Sequence, residues 1–153
     1  MAENIHAVFM RDALEEARVA LAAGELPVGC VVVKDGEIVA RAHNEREASG
    51  DPTAHAEVLA LRRAAAKLGG WRLDGCALYV TLEPCPMCAG AIVQARVARL
   101  VFGAYDPGQG CAGSVYRITE DPAFTHFCPA DGGVLEAECR EVLEEFFEKA
   151  RRK

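Results

Sequence analysis

Cys76-Ala77-Leu78-Tyr79-Val80-Thr81-Leu82-Glu83-Pro84-Cys85-Pro86-Met87-Cys88 decides the fold. Its first seven residues are a short, nearly continuous apolar run, the pattern of a strand buried on both faces. Pro84 then marks a helix start, where a missing N–H is no loss because that group has no intrahelical partner. The helix runs to about Ala95, and Ala98-Arg99-Leu100-Val101-Phe102-Gly103 reads as the next strand, reached through a helix and so parallel to the first. Cys85 and Cys88 stand three apart, so in the first helical turn their sulfurs share one face and meet one ion. Upstream, His55-Ala56-Glu57 opens another helix over 54–68, with Val58, Leu59, Leu61, Ala65 and Leu68 at helical spacing and Gly69-Gly70 at its end.

One imidazole and two thiolates suit Zn²⁺, and catalytic zinc sites typically stop at three protein ligands so that water takes the fourth position. His55, Cys85 and Cys88 fill those three places, predicting one zinc per chain. Glu57 is the spare carboxylate, placed to take a proton from water and deliver it to substrate. Both helix N-termini direct unpaired N–H groups toward this point and favour thiolates. A closed four-ligand site needs a fourth Cys or His at suitable spacing, and none stands out. A redox pair at Cys85 and Cys88 leaves the upstream His-x-Glu without a reason.

Outward from this center, Phe9, Ala13, Leu14, Ala17 and Leu21 recur at helical spacing up to Gly24 and predict a first amphipathic helix. Val28 to Val33 and Ile38 to Ala40 flank Asp35-Gly36, a hairpin signal. The glycine- and proline-rich loop from Ala104 to Ser114 is expected at the surface near the site. A short helix and a fifth strand are expected between Val115 and Gly133, and a final helix from Leu135 to Lys153 carries Val142, Leu143, Phe146 and Phe147 on its apolar side. His6 is expected to be exposed and without role, and His43 and His126 to make ordinary polar or second-layer contacts.

With 153 residues, about half of them apolar, the chain suits one compact domain. No run approaches the ~18 apolar residues of a membrane span, and Met1-Ala2-Glu3-Asn4 lacks a basic, then apolar, leader. A cytoplasmic protein without membrane contact follows. Seven cysteines, an odd number, fit a reducing compartment better than a disulfide framework, and Cys30, Cys76, Cys111, Cys128 and Cys139 read as buried small hydrophobes. Seventeen basic against 23 acidic residues give −6, a balance against extensive phosphate gripping. The basic cluster Lys149, Arg151, Arg152 and Lys153 reads either as charge complementing a helix C-terminus or as an RNA contact.

His-x-Glu with Pro-Cys-x-x-Cys is the pattern of zinc nucleobase deaminases. Around it Leu26-Pro27-Val28-Gly29, His43-Asn44, Asp51-Pro52-Thr53-Ala54, Thr81-Leu82-Glu83-Pro84, Cys88-Ala89-Gly90-Ala91, Val101-Phe102-Gly103-Ala104, Ala112-Gly113-Ser114 and Glu145-Phe146-Phe147 resemble the bacterial tRNA-specific adenosine deaminase family. The resemblance covers nearly the whole chain. It implies an α/β fold, the three-layer α/β/α cytidine-deaminase-like arrangement with a five-stranded mixed sheet, as a single zinc-dependent deaminase domain over residues 1–153. It implies hydrolytic conversion of adenosine to inosine at the tRNA wobble position, with the tRNA anticodon loop as partner. It further implies a homodimer whose zinc-motif helices pack across a two-fold axis, which the apolar Ala89-Gly90-Ala91-Ile92-Val93 run fits as well as ordinary core does.

The family position of Asn44 contacts the purine, and those of Val28 and Phe147 pack near the base. Asn44 also reads as a turn-stabilising asparagine. Main-chain N–H groups near Ala56 and Cys85 suit the altered base edge. The family loop after Val-Phe-Gly-Ala commonly carries Arg and then Asp-x-Lys-x-Gly, with Asn-His-Arg later. This chain has Tyr105-Asp106-Pro107-Gly108-Gln109-Gly110 and Thr125-His126-Phe127 instead. Asp106 keeps the loop architecture, while Tyr105, Gly108 and Phe127 weaken its phosphate-binding character. The alternative substrate is a small free nucleobase, nucleoside or related heterocycle. A non-catalytic zinc-stabilised subunit predicts the loss of Glu57, which is present.

Overall fold

The computed structural model describes residues 4–152, so Lys153 of the basic cluster and residues 1–3 of the start read above for leader character lie outside the described residues. In chain order the elements are α1 (Ile5–Ala22), β1 (Gly29–Lys34), β2 (Glu37–His43), α2 (Arg46–Ser49), α3 (Ala56–Leu68), β3 (Cys76–Leu82), α4 (Pro86–Gln94), β4 (Arg99–Ala104), a 3₁₀ turn at Ile118–Glu120, β5 (Ala130–Asp131) and α5 (Glu136–Arg151). Asn4 starts α1 by accepting a hydrogen bond from the His6 N–H at 2.9 Å. Asp35 and Gly36 both take positive φ, the backbone that a two-residue hairpin between β1 and β2 requires. β2 runs past the expected Ile38–Ala40 because its pairing with β1 continues to Gly29 opposite His43.

The strands form one sheet in the order β2-β1-β3-β4-β5, antiparallel at β2-β1 and β1-β3 and parallel at β3-β4 and β4-β5. This is the mixed five-stranded sheet expected from the sequence. The inner strands β1, β3 and β4 are largely apolar because both their faces are covered. Cys30, Val32, Leu78, Val80, Leu100 and Phe102 face Ala56, Ala60, Leu61 and Ala64 of α3 and Ile92 of α4. Val31, Val33, Tyr79 and Val101 face Phe9, Met10, Ala13, Leu14 and Ala17 of α1 and Cys139, Val142 and Leu143 of α5. Each fully buried aliphatic side chain of this kind contributes about 1.5–3 kcal/mol relative to exposure. The result is the expected α/β/α layering, with α3 and α4 on one face and α1 and α5 on the other.

Close backbone approach fixes two of these helices. A Cβ on Gly29 would lie 1.9 Å from the Ala13 carbonyl oxygen, and one on Gly103 would lie 2.3 Å from Cys139 Sγ, so α1 sits directly on β1 and α5 on β4. The five cysteines outside the motif are all buried, as expected. His6 departs from expectation. It is half-buried, with Nδ1 2.8 Å from the Tyr79 hydroxyl, because α1 lies across β3. His43 lies 3.1 Å from Glu16, and the His126 ring bonds the Val97 carbonyl at 2.6 Å; both are ordinary polar contacts.

Candidate active site

The fold brings the starts of α3 and α4 together at the C-terminal end of β3. His55 and Cys85 are the N-cap residues of these two helices, both with extended backbone and neither used as a side-chain cap, so imidazole and thiol are free to turn inward. Cys88 follows one turn later and is fully buried. His55 Nδ1 lies 3.6 Å from Cys85 Sγ and 3.4 Å from Cys88 Sγ. Metal–ligand lengths of about 2.0–2.3 Å at tetrahedral angles predict nitrogen–sulfur edges of about 3.5 Å, so the three donors fit one zinc ion. All three ligand atoms lie within 4.8 Å of one another, and this is the one such His/Cys/Asp/Glu group among the described residues.

The thiols divide their proton unequally. A hydrogen bond from the Cys88 thiol, helped by backbone N–H groups at Cys88 and Met87 and by His55, pulls Cys85 down to about 5 against the effect of burial. The same hydrogen bond, together with burial, pushes Cys88 up. Zinc takes both sulfurs as thiolates, so metal uptake at this site is expected to release protons. Glu57, in the first turn of α3, is 4% exposed, and burial pushes its carboxyl up to about 7.

One cavity opens over this group. Of the residues singled out from the sequence, His55, Ala56, Glu57, Cys85, Val28, Asn44 and Asp106 all line it. Asn44 Oδ1 also accepts from the Arg46 N–H at 3.4 Å, so the side chain stands on the cavity wall and braces the turn after β2. Asp106 Oδ1 accepts from the N–H groups of Gly108 and Gln109, shaping its own loop. Phe147 is half-exposed and lines the neighboring groove with Tyr105, Pro107 and Arg140; Leu26, Leu82, Asp106 and Gln109 form walls common to both. Tyr105 packs edge-on against Phe102, and Phe127 is exposed.

Sequence reasoning missed Leu26, Arg46, Leu82, Glu83 and Gln109 as lining residues. Glu83 was visible only as part of a motif, and its burial beside Pro84 is what gives it a place. Arg46 belongs to α2, which sequence periodicity does not reveal. At the other end of the chain, Lys149 and Arg152 pair with Glu145 and Glu148 one turn earlier in α5, which accounts for part of the basic cluster without RNA.

Two cysteine sulfurs, one imidazole and a buried carboxylate at the mouth of paired helices define a class: a hydrolytic zinc center of the nucleobase-deaminase type. Residues 3–104 match the model of the cytidine and deoxycytidylate deaminase zinc-binding region. A tRNA-specific adenosine deaminase of Bacillus subtilis (strain 168) is 49% identical over 146 residues, 95% of this chain and 91% of that protein. A solved structure from work on A-to-I editing by tRNA:A34 deaminases at the wobble position of transfer RNA superposes with a TM-score of 0.86 and 46% identity, covering 89% of this chain and 99% of that one. A guanine deaminase structure from Bacillus subtilis reaches a TM-score of 0.64 at 46% identity, over 67% of this chain and 66% of that one. The chain belongs to the cytidine and deoxycytidylate deaminase family of zinc-dependent hydrolytic enzymes, and within it to the tRNA-specific adenosine deaminases.

Proposed function

We propose that this chain, acting as one deaminase domain in the cytoplasm, converts adenosine to inosine at the wobble position of a tRNA anticodon loop. His55, Cys85 and Cys88 hold the zinc, and Glu57 carries the protons. The observation that supports the substrate is the likeness over 95% of the chain to a protein named for that activity. The guanine deaminase likeness spans a smaller share of both chains. No helix among the described residues is long and apolar enough to cross a membrane.

Bound zinc supplies the Lewis acidity that makes water a nucleophile near neutral pH. Glu57 takes one proton from the attacking water and returns it to the purine ring nitrogen, then takes the second from the hydroxyl added to the ring carbon and passes it to the amine, which leaves as ammonia as the carbonyl forms. Its burial suits that role, because a carboxyl out of solvent is easily reprotonated. Val28, Asn44 and Ala56 line the cavity, which supports a role for Val28 in packing against the base, for the Asn44 amide in contacting it, and for the Ala56 main chain in holding its altered edge. A base in an anticodon loop needs little unstacking, so pocket shape does much of the selecting and few phosphate contacts are required of a chain with net charge −6. Ammonia release from an anticodon stem-loop, compared with a panel of free bases and nucleosides, tests the reading. Turnover confined to the free compounds, with none of the stem-loop at low salt, rejects it.

A homodimer is part of the proposal. Ala89, Ile92 and Val93 are core, but Ala91, Ala95, Val58, Leu61 and Ala65 line an open apolar groove between α3 and α4 beside Trp71, which is 60% exposed. A groove of this kind on the zinc-bearing helices suits a second copy across a two-fold axis. Light scattering at micromolar concentration is expected to give twice the chain mass; monomer alone contradicts the dimer.

A further inference from the structure

We propose that Glu83 is a positioning residue for the reaction: its buried carboxylate holds the loop over 105–114 in place, and through it the Asp106–Gln109 wall of the cavity. The proposal rests on the deaminase reading above and adds a role for a carboxylate that the mechanism does not use.

Glu83 is 2% exposed and sits between β3 and the Cys85 helix start. A buried carboxylate must be compensated by hydrogen bonds or by charge. Here Oε1 accepts from the Asp106 N–H at 3.0 Å and from the Ser114 hydroxyl, and Oε2 accepts from the N–H groups of Ala112 at 3.0 Å and Ser114 at 2.9 Å. Four donors from both ends of the loop therefore converge on one side chain. Two backbone bonds tighten the same junction, Glu83 N–H to Ala104 and Cys111 N–H to Pro84.

The fit leaves no slack. A Cβ on Gly110 would fall 2.3–2.5 Å from the Glu83 carboxylate carbon and both of its oxygens, so the loop backbone rests on the carboxylate itself. Asp106, at one anchored point, and Gln109, between the anchors, line the cavity. Glu83 is two residues from Cys85 in the chain, so it ties the glycine-rich loop to the same strand end that sets Cys85 and Cys88. It is in position to act through the loop, with its acceptor oxygens already occupied by the loop's donors.

Glu83→Gln keeps the volume but sets an amide NH₂ against donors that need an acceptor. Removing a partner from buried N–H groups is expected to speed amide exchange over 106–114 at least about tenfold, with the sheet core unchanged. The KM for the stem-loop is expected to rise about tenfold or more while zinc stays stoichiometric. Gly110→Ala, which disturbs the same contact from the loop side and leaves the carboxylate intact, is expected to reproduce both effects. Normal loop exchange in both variants overturns the proposal, as does a Glu83→Gln defect confined to kcat that Gly110→Ala does not share. The exchange readout needs no substrate, so a wild-type protein inactive on the stem-loop would fail the functional reading while leaving this one decided by exchange.

Discussion

Glu57→Gln is expected to lower turnover by at least about 10²-fold while leaving zinc content and fold intact, because a positioned acid/base contributes 10²–10⁴ and an amide cannot carry its proton. The substitution is nearly isosteric at a site 4% exposed, so no cavity opens and no charge is left unpaired. Its zinc should stay, since the three converging donors are His55, Cys85 and Cys88. The check is turnover of a sample whose zinc has been measured. Near wild-type rates in a fully metallated Glu57→Gln protein remove Glu57 from the mechanism.

Cys88→Ala is expected to do more, abolishing stoichiometric zinc and turnover together. Cys88 supplies one of only two sulfurs in the trio and lies wholly buried on the first turn of α4, where alanine keeps the helix but offers no donor. Loss of the ion also removes its contribution to stability, since a metal bound by the folded chain alone stabilises by mass action. The variant is therefore expected to melt at the temperature of the chelator-treated wild type. Full stoichiometric zinc in Cys88→Ala would refute the ligand assignment.

The metal ligands were legible because their spacing is local chemistry: three residues apart on one helix turn, plus a histidine at another helix mouth. The strands β1, β3 and β4 were equally open to reading, as two-sided burial writes itself into an unbroken apolar run. What stayed hidden is held by contacts distant in sequence. The four residues of α2 show no periodicity; the buried Glu25 carboxylate holds them, accepting from the N–H groups of Glu47 and Ala48 at 2.9 and 2.6 Å. The loop over 105–114 looked like glycine-rich surface, and its order comes from Glu83. The place of Phe147, beside the cavity and not within it, depends on how α5 docks over Gly103, which no local pattern states. The Tyr79 partner of His6 is likewise a product of helix-on-sheet packing.

The central claim is that this zinc center acts on adenosine in an anticodon loop. Incubating zinc-loaded protein with a full tRNA that carries adenosine at the wobble position, then reading inosine position by position as an adenosine-to-guanosine change in the copied strand, tests it most directly. The account predicts inosine at the wobble position alone with the wild type and none with Glu57→Gln. Unmodified tRNA, alongside ammonia released from a free base or nucleoside by the same sample, would contradict it.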